Sequence, residues 1–301
     1  MKIIPTVTIN DAVFASSNVP EDDFTAWSAG TTYAAGVKVR RVVADVHRTY
    51  ESAQAGNTGN DPLLDLAGVW WIDLGPTNRW AMFLTPIAVQ TSRADSIDVT
   101  LNITDPIDTL FLQNLSAATA RIIRTHPDEG VVYDHTFNLT STRGVIDAFS
   151  YFFNPIVRLR DLLIEDLPVY GRGTLRIVLT GTGETVRCGL VLFGLARRVG
   201  NTLYGARAST IDYSTKGFDR FGRPEIVERY YAREASYDVR VPNDMVDEVL
   251  DLFADFRAKL VLVVGSGRYS SLSVYGLAQE AEVSLSEPDH SILTFRQLGM
   301  T

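Results

Sequence analysis

The stretch SIDVTLNI, residues 96–103, decides the fold class of this chain. Its apolar side chains occupy every second position: Ile97, Val99, Leu101 and Ile103. Because neighbouring residues of a β-strand point to opposite faces, this alternation predicts a strand with one buried and one solvated face. The stretch is therefore the first strand of a predicted sheet.

Similar short runs follow this stretch at regular spacing, and no long helical pattern separates them. They are ATARIIRT (118–125), VVYDHTFNL (131–139), IVRLRDLLI (156–164), TLRIVLT (174–180) and VRCGLVLFGLA (186–196). About seven such strands are typical of an antiparallel β-sandwich. We predict this sandwich over residues 86–200.

The last third, residues 201–301, predicts an extended hairpin arm followed by a small α+β module. The run STKGFDRFGRPE (214–225) carries turn residues and reads as a hairpin tip around Phe221 and Gly222. One clear helix is predicted over 241–260, with Asn243 as its N-cap. Its apolar stripe recurs at helical spacing: Met245, Val249, Phe253, Phe256 and Leu260. The fold class predicted for the whole chain is mainly β.

The first segment, residues 1–85, differs in composition because it holds all four tryptophans: Trp27, Trp70, Trp71 and Trp80. Its runs VKVRRVV (37–43) and VHRTYES (46–52) predict short strands bounded by turn residues. Helical periodicity is absent. We predict a small, aromatic-rich β module here.

The totals describe an ordinary globular protein. Of 301 residues, 46% are hydrophobic and 21% are charged, and the formal net charge is −8. This acidic balance, with scattered arginines, argues against nucleic acid as a partner. The start of the sequence, MKIIPTVTIND, has no apolar core of a secretory signal, and no apolar run is long enough for membrane insertion. We therefore expect synthesis in a reducing cytosol.

No compact catalytic or metal-binding pattern is present in the sequence. The four histidines are too dispersed for metal-ligand spacing, and we expect them on the surface or on strand faces: His47, His126, His135 and His290. The single cysteine, Cys188, lies in an apolar run and is expected to be an inert core residue. Glycine-rich pieces lie between strands, where hairpin turns explain them. We predict no enzymatic activity, no cofactor and no metal.

The aromatic residues of the first segment have two interpretations. The candidates for carbohydrate binding are Trp27, Tyr33, Tyr50, Trp70 and Trp71. Exposed indole and phenol rings stack on sugar rings while their polar tips form hydrogen bonds. A small module with little other apolar content could instead use the same side chains as its core. The sequence leaves both interpretations open.

The segment from AWSAGTTYAAGVKV (26–39) through HRTYESAQAGNTGNDP (47–62) to WWIDLGP (70–76) resembles the small chitin-type carbohydrate-binding modules. The positions that match the family pattern are Trp27, Tyr33, Gly36, Val37, Tyr50 and Trp70 or Trp71. The resemblance implies that these aromatics contact sugar. The chain departs from the pattern by its second tryptophan.

A broader resemblance rests on GPTNRWAMF (75–83), QTSRADSIDVTL (90–101) and DYSTKGFDRFGRPEIVERYYAR (212–233). These segments resemble tail and baseplate proteins of long non-contractile-tailed bacteriophages. The resemblance implies a carbohydrate-binding-like module, a galactose-binding-like jelly roll over 88–199 and a C-terminal joining domain. It also implies a structural role in the virion tail, synthesis in the host cytoplasm and a part in host attachment.

The leading hypothesis is therefore a structural component of a bacteriophage tail tip or baseplate. It would form a homo-oligomer, a ring or collar, and hold other tail or baseplate proteins. The alternative is an adhesin that binds host surface glycans through its first module or its jelly roll. A glycan-degrading enzyme ranks below both, because the sequence offers no pair of opposed carboxylates.

Overall fold

The computed structural model describes residues 1–84, 89–141, 146–218, 220–285 and 287–300. Strands make up 54% and helices 9% of the structure, and the strands pair antiparallel except for one parallel pair near residues 25 and 39, so the predicted mainly β fold is confirmed. The strands are β1 (Lys2–Pro5), β2 (Phe14–Ser17), β3 (Thr25–Ala26), β4 (Thr32–Tyr33), β5 (Lys38–Val43), β6 (Val46–Ser52), β7 (Asn57–Thr58), β8 (Trp71–Pro76), β9 (Thr91–Ile103), β10 (Thr109–Gln113), β11 (Thr119–His126), β12 (Gly130–Asn138), β13 (Thr140–Ser141), β14 (Val157–Arg158), β15 (Leu162–Ile164), β16 (Gly173–Cys188), β17 (Leu190–Gly194), β18 (Arg197–Arg198), β19 (Asn201–Thr202), β20 (Arg207–Asp212), β21 (Thr215–Phe218), β22 (Pro224–Val227), β23 (Tyr231–Pro242), β24 (Leu260–Val264), β25 (Ser273–Ser284) and β26 (His290–Gly299).

The α-helices of the described residues are α1 (Ala148–Phe153) and α2 (Val246–Asp255). Single 3-10 turns cover Ala81–Phe83, Asn243–Met245 and Ser270–Leu272. The helix α1 was not predicted. The predicted strand over 156–164 is interrupted, because only β14 and β15 within it pair with other strands.

The chain divides into two compact units, each made of separate stretches of sequence. One comprises residues 8–106 and 110–192, and the other comprises 1–7, 107–109 and 193–301. Most of the aromatic-rich segment and of the predicted sandwich thus belong to the first of these units, whereas residues 1–7, 107–109 and 193–200 belong to the second. The division into three domains at residues 85 and 200 stays a prediction.

The sandwich strands of the first unit form the sheet β12-β11-β16-β9-β2 and the smaller sheet β15-β10-β17. The alternation that predicted β9 is explained by its register, since Leu101 pairs with Leu175 and Ile97 with Leu179 of β16. All four side chains are buried. All five residues of β10 are also buried, as expected for a strand covered on both faces.

The aromatic-rich segment of the same unit forms the sheet β3-β5-β6-β8 and the pair β4-β7. The strand β2 falls within the segment predicted as the aromatic-rich module, but it pairs with β9 of the sandwich. The ring of Phe14 on β2 then lies 5.2 Å from that of Trp80. A residue near the N-terminus and the last tryptophan are therefore parts of one core.

The second unit is built on the sheet β18-β1-β24-β25-β26-β23-β19, with β20 added on β23. Its core contains the two stacked rings of Tyr237 and Phe295, 6.0 Å apart. The helix α2 contributes Val246 and Val249 to this core, while Leu252 and Phe253 pack against it half-buried. This confirms one clear helix packed on strands.

The predicted helix cap at Asn243 is wrong. Asn243 lies in a 3-10 turn, where its side-chain amide donates to the carbonyl oxygens of Glu287 (3.0 Å) and Pro288 (2.7 Å). Its carboxamide oxygen accepts the Ser291 hydroxyl. The side chain therefore ties the turn to a distant loop instead of capping α2, because those partners are brought close only by the fold.

Candidate functional site

Three of the five candidate sugar-binding aromatics form the core of the aromatic-rich module. Tyr33, Tyr50 and Trp71 are buried together with Val39, and Trp71 is only 2% exposed. A sugar ring cannot stack on a ring face that other side chains already cover. These three side chains therefore belong to the core of the module, as the second of the two interpretations proposed.

The geometry around Trp71 explains why these rings are buried. The ring centroids of Trp71 and Tyr33 lie 5.2 Å apart with an angle of 68° between the ring planes, an edge-to-face arrangement that aromatic pairs favour. The indole Nε1 donates to the carbonyl oxygen of Asn60 at 2.9 Å. The Tyr33 hydroxyl accepts the Ser28 backbone N–H at 2.7 Å. Both polar tips are thus satisfied inside the protein, and neither needs a sugar hydroxyl.

The other two candidates, Trp27 and Trp70, are half-buried and pack against the rim of this core. The guanidinium of Arg41 lies over the Trp27 ring, 4.7 Å from its centroid. Arg41 is held there by two hydrogen bonds to Asp61, of 3.1 and 2.7 Å. One face of Trp27 is therefore occupied by a cation, and the sugar-contacting interpretation depends on the remaining surface of Trp27 and Trp70.

The carboxylate of Asp65 closes the loop that carries both neighbouring tryptophans. It accepts the backbone N–H groups of Val69 (3.1 Å), Trp70 (2.6 Å) and Trp71 (2.8 Å). Burial raises the pKa of Asp65, but the three N–H donors together lower it further, and the net pKa lies below its usual value. The folded chain therefore favours the ionised carboxylate.

We expect Asp65→Asn to lower the free energy of unfolding by about 1 kcal/mol at pH 7, a screened value for hydrogen bonds to a charged group. Because the folded pKa is depressed, this contribution is fully present above the unfolded value of 3.8 and is lost as the pH falls through the folded value. Urea unfolding of both proteins between pH 7 and pH 3 measures it. If the difference in free energy of unfolding between the wild type and Asp65→Asn stayed constant down to pH 3, the lowered pKa of Asp65 in the folded state would be contradicted.

His47 is the centre of a charged cluster that the sequence did not reveal. It was expected on the surface or on a strand face, and it lies on β6 with only 7% exposure. Its Nε2 lies 2.8 Å from Asp11 Oδ1 and its Nδ1 lies 2.9 Å from Glu21 Oε1. The imidazole also stacks on Trp80, with centroids 3.9 Å apart.

Further contacts fix the two carboxylates of this cluster. Glu21 accepts the Thr77 hydroxyl at 2.8 Å and lies 3.4 Å from an Arg79 nitrogen. Hydrogen bonds from the Asp45 backbone N–H and from His47 lower the pKa of Asp11. Both ring nitrogens of His47 thus lie within hydrogen-bond distance of a carboxylate oxygen. The cluster links residues 11–21 to β6 and to Thr77 through hydrogen bonds. These contacts stabilise the fold.

Other nucleophilic and metal-binding groups do not converge in the described ranges. Within them, no group of three or more His, Cys, Asp or Glu side chains is arranged to hold a metal ion. The thiol of Cys188 is buried, which raises its pKa to about 12 and keeps it protonated.

A groove of about 800 Å³ lies on the sheet of the second unit and contains carboxylates. Glu234, Glu280 and Glu282 line it together with Arg207 and Arg296. Arg296 forms an ion pair with Glu234 and lowers the pKa of that carboxyl, with a further hydrogen bond from Ser209. A general acid for glycoside hydrolysis needs a raised pKa, so the shift of Glu234 has the opposite direction.

The hairpin arm, residues 213–230, is the most exposed part of the second unit. It extends the β20–β23 pair through the strands β21 and β22, and Gly222 at its tip has φ +75°. Every residue of β21 and β22 is exposed. The exposed apolar side chains of the arm are Tyr213, Phe218, Phe221, Ile226, Val227 and Tyr230. Within the described residues, nothing buries this ribbon.

No helix in the described part of the chain has the length and apolar content to cross a bilayer. In comparisons with protein-family models, curated proteins and solved structures, the chain matches none of them.

Proposed function

We propose that the chain is a structural component of a bacteriophage tail tip or baseplate, where it assembles in multiple copies through its hairpin arm. The virion assignment depends on the resemblance of residues 75–83, 90–101 and 212–233 to tail proteins. The assembly role is supported by one observation, the exposure of every residue in both paired strands of the arm.

An isolated two-stranded hairpin is marginally stable in water, because it has no sheet or helix to bury its apolar face. The arm nevertheless carries large apolar side chains such as Phe218 and Ile226, both at least 70% exposed. Its outer strand edges also present unpaired backbone groups, which can pair with another chain. Contact with a neighbouring copy or tail protein would bury these side chains and stabilise the ribbon.

The test compares the full chain with a variant in which residues 214–229 are replaced by Asn-Gly. This two-residue turn closes a hairpin between Tyr213 and Tyr230, whose backbones are already hydrogen-bonded at 3.2 Å. We expect sedimentation velocity and negative-stain electron microscopy to show closed oligomers of the full chain and no species larger than a dimer for the variant. Circular dichroism should show that both are folded.

Point variants provide the matched control for this experiment. Ile226→Asp should weaken assembly at least tenfold, whereas Thr215→Asp adds the same charge to the same hairpin and should have little effect. A full chain that stays monomeric at tens of micromolar, and that also captures no tail protein through its arm, would overturn the proposal.

The adhesin alternative is supported by the partial exposure of Trp27 and Trp70. A glycan array with the wild type beside Trp27→Ala and Trp70→Ala separates it from a purely structural role. Loss of binding in folded variants would make these rings contacts to host surface glycans. Absence of binding by the wild type would leave them as part of the module's rim.

A further inference from the structure

A second exposed apolar surface lies on the sandwich, outside the hairpin arm. The aromatic loop, residues 146–157, contains α1 and leads into β14. Its four aromatic side chains are 69–74% exposed: Phe149, Tyr151, Phe152 and Phe153. Ile146, Ile156 and Val157 add exposed aliphatic surface on both sides of the helix.

The aromatic loop is anchored at defined points. Asp147 caps α1 by accepting the Ser150 N–H at 2.7 Å, and the Ser150 hydroxyl receives the N–H of Asp147 at 3.0 Å in return. This reciprocal capping box stabilises the first turn of a helix. At the base of the loop, Arg158 donates to Thr140 (2.9 Å) and Glu184 (3.2 Å). The aromatic side chains therefore project from a helical turn that is stabilised by its cap and by the hydrogen bonds of Arg158.

The exposed apolar area of the aromatic loop is close to the area that one partner buries in a standard protein–protein interface. Four aromatic rings and three aliphatic side chains at this exposure offer roughly 700 Å² of apolar surface. The largest apolar patch on a typical monomer is about 300–600 Å², and each partner in a standard interface buries about 800 Å². Two copies of this loop would together supply nearly the whole area that a stable dimer buries.

The charge of the loop favours a second copy of this chain over a lipid surface. Asp147 is the only charged residue among residues 146–157, and its carboxylate is engaged in the helix cap. Two such loops therefore bring only one pair of like charges to the contact. Surface binding to anionic lipid depends on flanking lysines and arginines, but this chain carries a net charge of −8.

We infer that the aromatic loop is a self-association surface, on which the rings of one copy pack against the same loop of a second copy. This contact goes beyond the arm-mediated assembly proposed above, since it uses a different surface. Ring pairs with edge-to-face geometry supply the attraction. The two-fold arrangement makes the patch self-complementary.

Disulfide trapping tests the contact, because Cys188 is buried and leaves the chain without an accessible thiol. Ala148→Cys places one exposed thiol on α1, and Ala55→Cys places one at an exposed alanine outside the loop. Under mild oxidation, we expect Ala148→Cys to form a disulfide-linked dimer in more than half of the chains and Ala55→Cys to form little. Adding Phe152→Ser to Ala148→Cys should reduce trapping at least tenfold.

The same trapping in the arm-shortened protein separates this inference from the proposed function. Dimers through Ala148→Cys without the arm support the loop contact, whatever the larger assembly does. Arm-dependent oligomers that give no trapping at Ala148→Cys would overturn the loop contact and leave the arm proposal standing. Co-sedimentation of the monomer with phosphatidylcholine vesicles, lost in Phe152→Ser, would also overturn it in favour of a lipid partner.

Discussion

Trp71→Ala is expected to lower the free energy of unfolding by about 3–5 kcal/mol, the usual cost of truncating a buried tryptophan. Trp71 is 2% exposed, packs edge-to-face on Tyr33 and donates its indole N–H to Asn60. Truncation removes the largest ring of a small core and leaves the Asn60 carbonyl without this donor. The aromatic-rich module has few other apolar side chains to fill the cavity.

The adjacent Trp70 is the matched control for this variant. It is half-buried, and its interactions with Asp65, Ala53 and Asn57 are made by its backbone, which alanine retains. We therefore expect Trp70→Ala to cost only about 1 kcal/mol. Urea unfolding followed by circular dichroism measures both variants without depending on tryptophan fluorescence. Equal costs for the two tryptophans would contradict the core assignment of Trp71.

His47→Ala is expected to lower the free energy of unfolding by about 3 kcal/mol. Removing one partner of a buried ion pair leaves an uncompensated charge, and that penalty usually exceeds the value of the pair itself. Here the carboxylates of Asp11 and Glu21 would lose the imidazole between them, and Trp80 would lose its stacked partner. Arg79 offsets part of the charge on Glu21.

A double-mutant cycle tests the cause of this loss. The Glu21 side chain is 9% exposed and that of Asp11 is 47% exposed, so the unpaired charge on Glu21 should dominate. Glu21→Gln in the His47→Ala background should recover stability, whereas Asp11→Asn in the wild type should have a small effect. A His47→Ala variant as stable as the wild type would show that the cluster adds no net stability.

The two exposed apolar surfaces differ in how well the sequence predicted them. The arm was predicted because the Arg-, Asp- and Gly-rich stretch 214–225 is typical of a hairpin tip around Phe221 and Gly222. The aromatic loop was missed, although the run FSYFF (149–153) and the Asp147–Ser150 capping pair are readable signals. Its aromatic run does not alternate, so periodicity alone could not separate an exposed turn from a buried strand.

The sequence by itself determined the local features of this protein: the alternating strands of the sandwich, one helix within residues 241–260 and the turn-rich arm. These follow from side-chain periodicity and turn chemistry within a few residues. The tertiary structure alone decided which aromatic rings are covered, why Asn243 bonds to a distant loop, and that His47 joins Asp11 and Glu21. Those outcomes depend on residues far apart in the chain, which only the packing of the sheets brings within contact distance.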